Sequence, residues 1–170
     1  MKKVLIIVLI VVLILVVGSC VLLGGDEEVP VDLNLERGGP VVFSTTDIEG
    51  NKWDQSVFAD YNLTMINFWE PFCGPCVGEM PEIQKLYEDY ADKGFMVLGV
   101  YGSSDDPSEV IADTGVQYPI LHNTSGFNQY QSGYVPNTIF VDKDGKIIGD
   151  PIGGAKDYYT WEAYVKAMLP

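Results

Sequence analysis

Two cysteines with two residues between them, Cys73-Gly74-Pro75-Cys76, carry the most reactive chemistry in the chain. With a helix starting here, Cys73 stands at its amino end and Cys76 nearly one turn further along the same face. The free N–H groups and partial positive charge of a helix start stabilise a thiolate. This placement therefore lowers the pKa of Cys73 below the ordinary thiol value of roughly 8.5. The same spacing suits a disulfide, which needs Cα atoms about 4.4–6.8 Å apart. Cys73, at the exposed end, is then the attacking sulfur, and Cys76, deeper in the helix, the resolving one. The alternative is a plain stabilising disulfide. So small a ring restrains the unfolded chain little, whereas it suits reversible opening and closing. Pro75 falls in the first turn, where its missing N–H is tolerated.

The flanking sequence contains the elements that such a pair requires. Residues 63–69 form a mostly apolar run, expected as a buried central strand. A helix is expected from about residue 74 to 92, with Val77, Met80, Ile83, Tyr87 and Tyr90 on its buried face and a bend at Pro81. Lys93-Gly94 ends it, and residues 95–101 read as a second buried strand, completing a parallel crossover. Upstream, Val41-Val42-Phe43 reads as a strand, and residues 47–51 as a turn leading to Lys52-Trp53, an N-terminal β-hairpin extension. Residues 56–60 read as one helical turn. Downstream, a helix capped by Asp106 runs to about Thr114, a strand covers 118–121, and a short helix covers 127–131. Residues 137–142 and 146–149 form an antiparallel hairpin. A last helix, 155–169, places Tyr158, Trp161, Val165 and Met168 on one face. The expected class is α/β, a central mixed sheet with helices on both sides.

Composition narrows the setting. The 170 residues carry 24 acids against 10 bases, a net charge of −14. Removing Lys2 and Lys3 leaves 8 bases against 24 acids, or −16, for the rest of the chain. So acidic a surface disfavours nucleic acid. With three cysteines and one histidine, the second ligand pair of a structural zinc site is missing, and no metal or organic cofactor is expected. The segment 4–23 is free of charge and long enough, as a helix of roughly 30 Å, to span a bilayer. Lysines precede it and acids follow. A second reading takes residues 4–17 as a signal-peptide core and Val17-Gly18-Ser19-Cys20 as similar to a bacterial lipobox, with Cys20 lipidated. Small residues before Cys20 favour the second reading, and Val21-Leu22-Leu23 after it favour the first. Both place the domain outside the cytoplasmic membrane, tethered to it. Residues 24–40 read as a flexible acidic linker, and 41–170 as one domain, expected as a monomer.

The stretch Asn67-Phe68-Trp69-Glu70-Pro71-Phe72-Cys73-Gly74-Pro75-Cys76-Val77-Gly78-Glu79-Met80-Pro81 resembles the active-site segment of thioredoxin-like proteins. More narrowly it is similar to the membrane-tethered TlpA/ResA branch, which includes cytochrome c maturation thioredoxins. Phe43-Ser44-Thr45-Thr46-Asp47-Ile48-Glu49-Gly50 fits the opening of that branch, Glu79 and Pro81 match its acid and proline after the cysteines, and residues 133–145 resemble its cis-proline loop and following hairpin. The likeness covers 41–169. One departure is Phe72, where the family usually has Trp.

The resemblance implies a thioredoxin-like fold and a thiol–disulfide oxidoreductase acting on proteins outside the cytoplasmic membrane. It implies reduction of client disulfides, with electrons from a DsbD/CcdA-like membrane donor. It implies a cis peptide before Pro136, with Val135 offering backbone hydrogen bonds to a client, and Glu79 as proton acceptor for Cys76. Trp69, Phe72, Gly74 and Pro75 are expected to line the client groove, although apolar residues here equally serve packing. Two alternatives remain: an oxidase or isomerase of the same fold, and a thioredoxin-like copper chaperone using Cys73, Cys76 and His122.

Overall fold

Strands β4 (Leu63–Trp69) and β5 (Phe95–Tyr101) run parallel through the centre of a six-stranded sheet, and every residue of both is buried. The computed structural model describes residues 37–170. The sheet order is β1 (Arg37–Pro40), β8 (Lys146–Gly153), β7 (Asn137–Asp142), β4, β5 and β6 (Ile120–His122). β4, β5 and β6 are parallel, whereas β7, β8 and β1 run antiparallel to their neighbours. This is a thioredoxin-like mixed sheet with flanking helices.

Among the described residues, three α-helices join the sheet: α1 (Gly74–Tyr90), α2 (Ser108–Thr114) and α3 (Tyr158–Met168). They share one face of the sheet, where Met80, Ile83 and Leu86 of α1 pack with Trp161 and Val165 of α3 and with Leu63, Met65 and Trp69 of β4. Helices were expected on both faces; the short ones expected at 56–60 and 127–131 do lie opposite, as 3-10 turns, but the α-helices gather on one side. Two crossovers of one handedness, each stepping outward from β4, instead bring α1 and α2 to the same side. The opposite face is closed by 3-10 turns (Gln55–Asp60 and Asn128–Tyr130) and by Phe43, Phe58 and Phe127, with the Phe43 and Phe127 rings stacked at 4.7 Å. Gly94, at φ +81°, terminates the α1 region in the left-handed conformation that its sequence position suggested.

Other boundaries differ from the sequence reading. The linker, expected to run to residue 40, gives way at Arg37 to β1, which pairs with β8. Pairing at a sheet edge uses backbone groups alone, so Gly38, Gly39 and Pro40 are no obstacle there. The strand expected at 41–43 is displaced to β2 (Ser44–Thr46), which pairs with β3 (Lys52–Asp54) as the N-terminal hairpin. Val41 and Phe43 still point inward while Val42 is exposed, so the alternation reports burial rather than pairing. α3 begins at Tyr158, because Asp157 caps it through the Thr160 N–H at 2.8 Å. Residues 1–23, with the expected membrane segment and Cys20, and the linker residues 24–36 lie outside the described residues. No helix among the described residues is long and apolar enough to cross a membrane.

The hairpin is bound to the β6 edge on either side of Asp47, which bridges to Leu121. Thr45 Oγ1 donates to the His122 carbonyl at 2.6 Å, and Ile48 N–H to the Ile120 carbonyl at 3.0 Å. The Asp47 carboxylate accepts four hydrogen bonds, from the Glu49 and Asn51 amides, Asn51 Nδ2 and Trp53 Nε1. Burial opposes its ionisation, but these bonds outweigh that and hold its pKa below the usual carboxylate range. A depressed pKa contributes stability that is present above the unfolded-state value, about 3.9, and lost as pH falls through the folded one. We therefore expect D47N to lower unfolding stability by about 1–3 kcal/mol at neutral pH. Denaturant titrations across pH should show this deficit shrinking below pH ~4.

Candidate active site

Cys73 lies just beyond β4 and is the N-cap of α1. It forms a disulfide with Cys76, with Cα atoms 5.3 Å apart. The Cys76 backbone N–H donates to Cys73 Sγ at 3.3 Å, so one of the free donors of the helix start is aimed at that sulfur. Pro75, in the first turn, contributes no competing N–H. No acid occupies that turn, in an otherwise acidic chain. Cys73 is partly exposed, whereas Cys76 is fully buried in the cluster shared by α1, α3 and β4. The expected division into an accessible and a shielded sulfur is thus present in the geometry.

The Val135–Pro136 peptide bond is cis. β7 begins directly after it, and Asn137 pairs with Phe68 in β4, so strand pairing carries the proline loop to the end of β4 where Cys73 sits. Cys73 Sγ lies 3.8 Å from the Val135 carbonyl oxygen. Phe72 (71% exposed), Gly74 and Pro75 form an open rim around the sulfur, with Tyr134 also exposed beside Val135. Trp69 departs from expectation. It is 1% exposed, its ring sits against Tyr101, and its Nε1 overlies Gly99, where a Cβ would come within 3.2 Å. It belongs to the core and offers no surface to a client.

Glu79 is the second charged-type group of the site and is 2% exposed. Cys76, Glu79, Met80, Ile83, Leu86 and Tyr90 line the buried stripe of α1; Val77 and Tyr87, expected there, are only partly buried. Glu79 Oε1 accepts from Asn67 Nδ2 at 3.0 Å, and Oε2 from the Lys156 N–H at 3.1 Å and Trp161 Nε1 at 3.2 Å. Asn67 also donates to Thr138 Oγ1, its cross-strand partner in β7. Burial pushes the Glu79 pKa above the ordinary glutamate value, against the pull of these donors and of the Lys156 charge.

Asn67, Thr138, Lys156 and Trp161 were not assigned a role in the site from the sequence. One local signal existed: Asn67 is a polar amide inside an apolar strand, which needs a buried partner. Trp161 was legible as core, but its indole donor was not. His122 is exposed on β6 beside the Tyr101 ring. Among the described residues, no group of three or more His, Cys, Asp or Glu side chains could hold a metal ion, so His122 does not join the cysteine pair as the copper reading requires.

Comparison with known proteins places this geometry among relatives. The Redoxin family model matches residues 36–164. A protein named thiol-disulfide oxidoreductase ResA from Bacillus thuringiensis is 28% identical over 132 residues, covering 75% of each chain. Its namesake from Halalkalibacterium halodurans is 28% identical over 146 residues, covering 82% of this chain and 81% of its own. Among solved structures, a thiol:disulfide interchange protein of the thioredoxin family from Chlorobium tepidum superposes with a TM-score of 0.70 at 20% identity. It covers 81% of this chain and 99% of its own, a likeness that establishes the fold.

The raised Glu79 pKa has a stability consequence of opposite sign to that of Asp47. The folded state holds this proton more tightly than the unfolded chain, so unfolding stability falls as pH rises from the ordinary glutamate range through the raised one. Denaturant titrations of the oxidised protein should show the wild type losing stability relative to E79Q across that window. A constant difference at all pH values would mean that the buried carboxyl titrates normally.

Proposed function

The chain belongs to the Redoxin family, and on that footing we propose that it is a membrane-tethered, extracytoplasmic thiol–disulfide oxidoreductase that reduces disulfides of exported client proteins. One observation carries the reading. Cys73 heads α1 with a helix N–H on its sulfur, Cys76 is within bonding distance behind it, and the cis-proline loop stands in front. Relatives that match 75–82% of the chain are named thiol-disulfide oxidoreductases, which supports the reaction class.

The reaction begins with the reduced pair. The Cys73 thiolate attacks one sulfur of a client disulfide; a Cys73–client bond forms, and the client's other sulfur leaves as a thiolate. The client strand lies along Val135, whose backbone offers it hydrogen bonds, with Phe72, Gly74 and Pro75 at the rim. Cys76 then gives its proton to Glu79 and attacks Cys73 Sγ. The mixed disulfide breaks, the second client sulfur departs, and the Cys73–Cys76 bond closes. Two electrons have passed to the client. A carboxyl whose pKa burial has raised toward the working pH is suited to that proton transfer. The sulfurs carry every step, so no metal or organic cofactor enters.

The segment 1–23 supports the tether, either as an uncleaved anchor or through lipidated Cys20. Continued turnover on that side of the membrane needs two electrons per cycle, which a DsbD/CcdA-like membrane donor would deliver. The Gly-Pro dipeptide between the cysteines supports the reducing direction, because thioredoxin, which shares it, has a potential of about −270 mV. Apocytochromes and methionine sulfoxide reductases are candidate clients.

Two measurements test this reading. C76S should accumulate a covalent heterodimer with a disulfide-bearing client through Cys73, and C73S should not. The Cys73/Cys76 couple, equilibrated with glutathione, should lie at roughly −220 mV or below; a value near −120 mV assigns an oxidase instead.

A further inference from the structure

The turn between β8 and α3 touches both halves of the site. Lys156 Nζ donates to the carbonyls of Gly153 at 2.7 Å and Gly154 at 2.8 Å, so the side chain folds back and closes its own turn. The Gly154 N–H donates to the carbonyl of cis-Pro136 at 2.9 Å. At the far end of the same turn, the Lys156 N–H donates to Glu79 Oε2. The ammonium lies 6.0 Å from the centre of the Trp161 ring, whose Nε1 binds the same carboxylate oxygen. A flexible side chain held by two backbone acceptors is fixed in place, and a fixed, half-buried positive charge is weakly screened.

We propose that Lys156 is a positioning residue for Glu79: its ammonium closes the turn, aims its own N–H at the carboxylate and keeps a positive charge beside it, so that Glu79 is held ready to take the Cys76 proton. The proposal rests on the reading of Glu79 as that acceptor. Apart from the two cysteines, the other described side chains that bond Glu79 or flank its partners are neutral in the working range. Asn67 of β4, Thr138 beside it on β7 and Trp161 of α3 carry no charge. The Tyr118 hydroxyl, buried ahead of β6, is pushed far above its ordinary pKa, first by its own burial and then by Glu79. Lys156 therefore supplies the positive charge that opposes the burial of this carboxylate.

The test uses the reduced full-length chain carrying C20S, so that only the active-site pair reacts, and dithiobisnitrobenzoate, a small aromatic disulfide. Attack by Cys73 releases one coloured thiolate, and resolution by Cys76 releases the second. In stopped flow, the second release should accelerate with pH along a limb below the free-thiol range, and E79Q should lose that limb. In K156M the limb should move to higher pH, slowing resolution by about three- to tenfold midway up the wild-type limb. The first release should keep its wild-type rate. K156R should restore the wild-type position. K156Q keeps a donor for the two carbonyls without the charge, and should reproduce the shift even where K156M folds poorly. In the E79Q background, K156M should change nothing further. A limb at the wild-type position in K156M and K156Q, with E79Q still lacking it, overturns the role of Lys156 and leaves that of Glu79 standing. A limb that survives in E79Q overturns the reading of Glu79 and the proposal with it.

Discussion

A sulfur held at the amino end of a helix is the interaction on which the rest of this structure depends. The N-terminal end of α1 offers unpaired donors and a partial positive charge, and Cys73 is the residue placed to receive them. Everything nearby protects that arrangement. β4 ends at Trp69, locked over Gly99 in the core, which fixes where the chain leaves the sheet. Glu70 follows, but its carboxylate is turned away, accepting the Gly102 and Ser103 N–H groups at 2.9 Å each. In a chain with so large an excess of acid, the first turn of α1 carries none, and the Glu70 carboxylate is engaged elsewhere.

The second constraint is a carboxyl in a place where a charge is expensive. Burying an ionised group without partners costs several kcal/mol, so Glu79 persists only because three donors from β4, the turn after β8 and α3 converge on it. Those partners tie α1 to the sheet and to α3 at the level of Cys76. The same polar centre continues through Asn67 to Thr138 on β7, the strand that begins at the cis-proline loop. The sulfurs, the buried acid and the cis-proline loop are therefore parts of one connected piece of the fold.

Much of this was legible in the amino-acid order, and the legible parts share a physical character. The CxxC pair, the runs of β4 and β5 and the termination of the α1 region at Gly94 are short-range patterns, set by neighbours within a turn or two. The cis peptide at Pro136 was reached through family likeness, since local sequence does not distinguish it from a trans proline. The burial of Glu79 was not legible, because an apolar-periodicity argument assigns an acid to the solvent side. Its partners stand 12, 77 and 82 residues away, and only tertiary packing brings them together. The collection of α-helices on one face was likewise a consequence of crossover handedness, which single elements do not display. β1 was hidden because edge pairing is made by backbone groups.

The most direct test of the account is the ionisation of Cys73 itself. In the reduced protein carrying C76S, the rate of alkylation by iodoacetamide, located at Cys73 by mass spectrometry to separate it from Cys20, is measured against pH. The account predicts a reactive sulfur with an apparent pKa clearly below the free-thiol value of about 8.5. A titration at or above that value, or a sulfur that fails to react across the range, would contradict it.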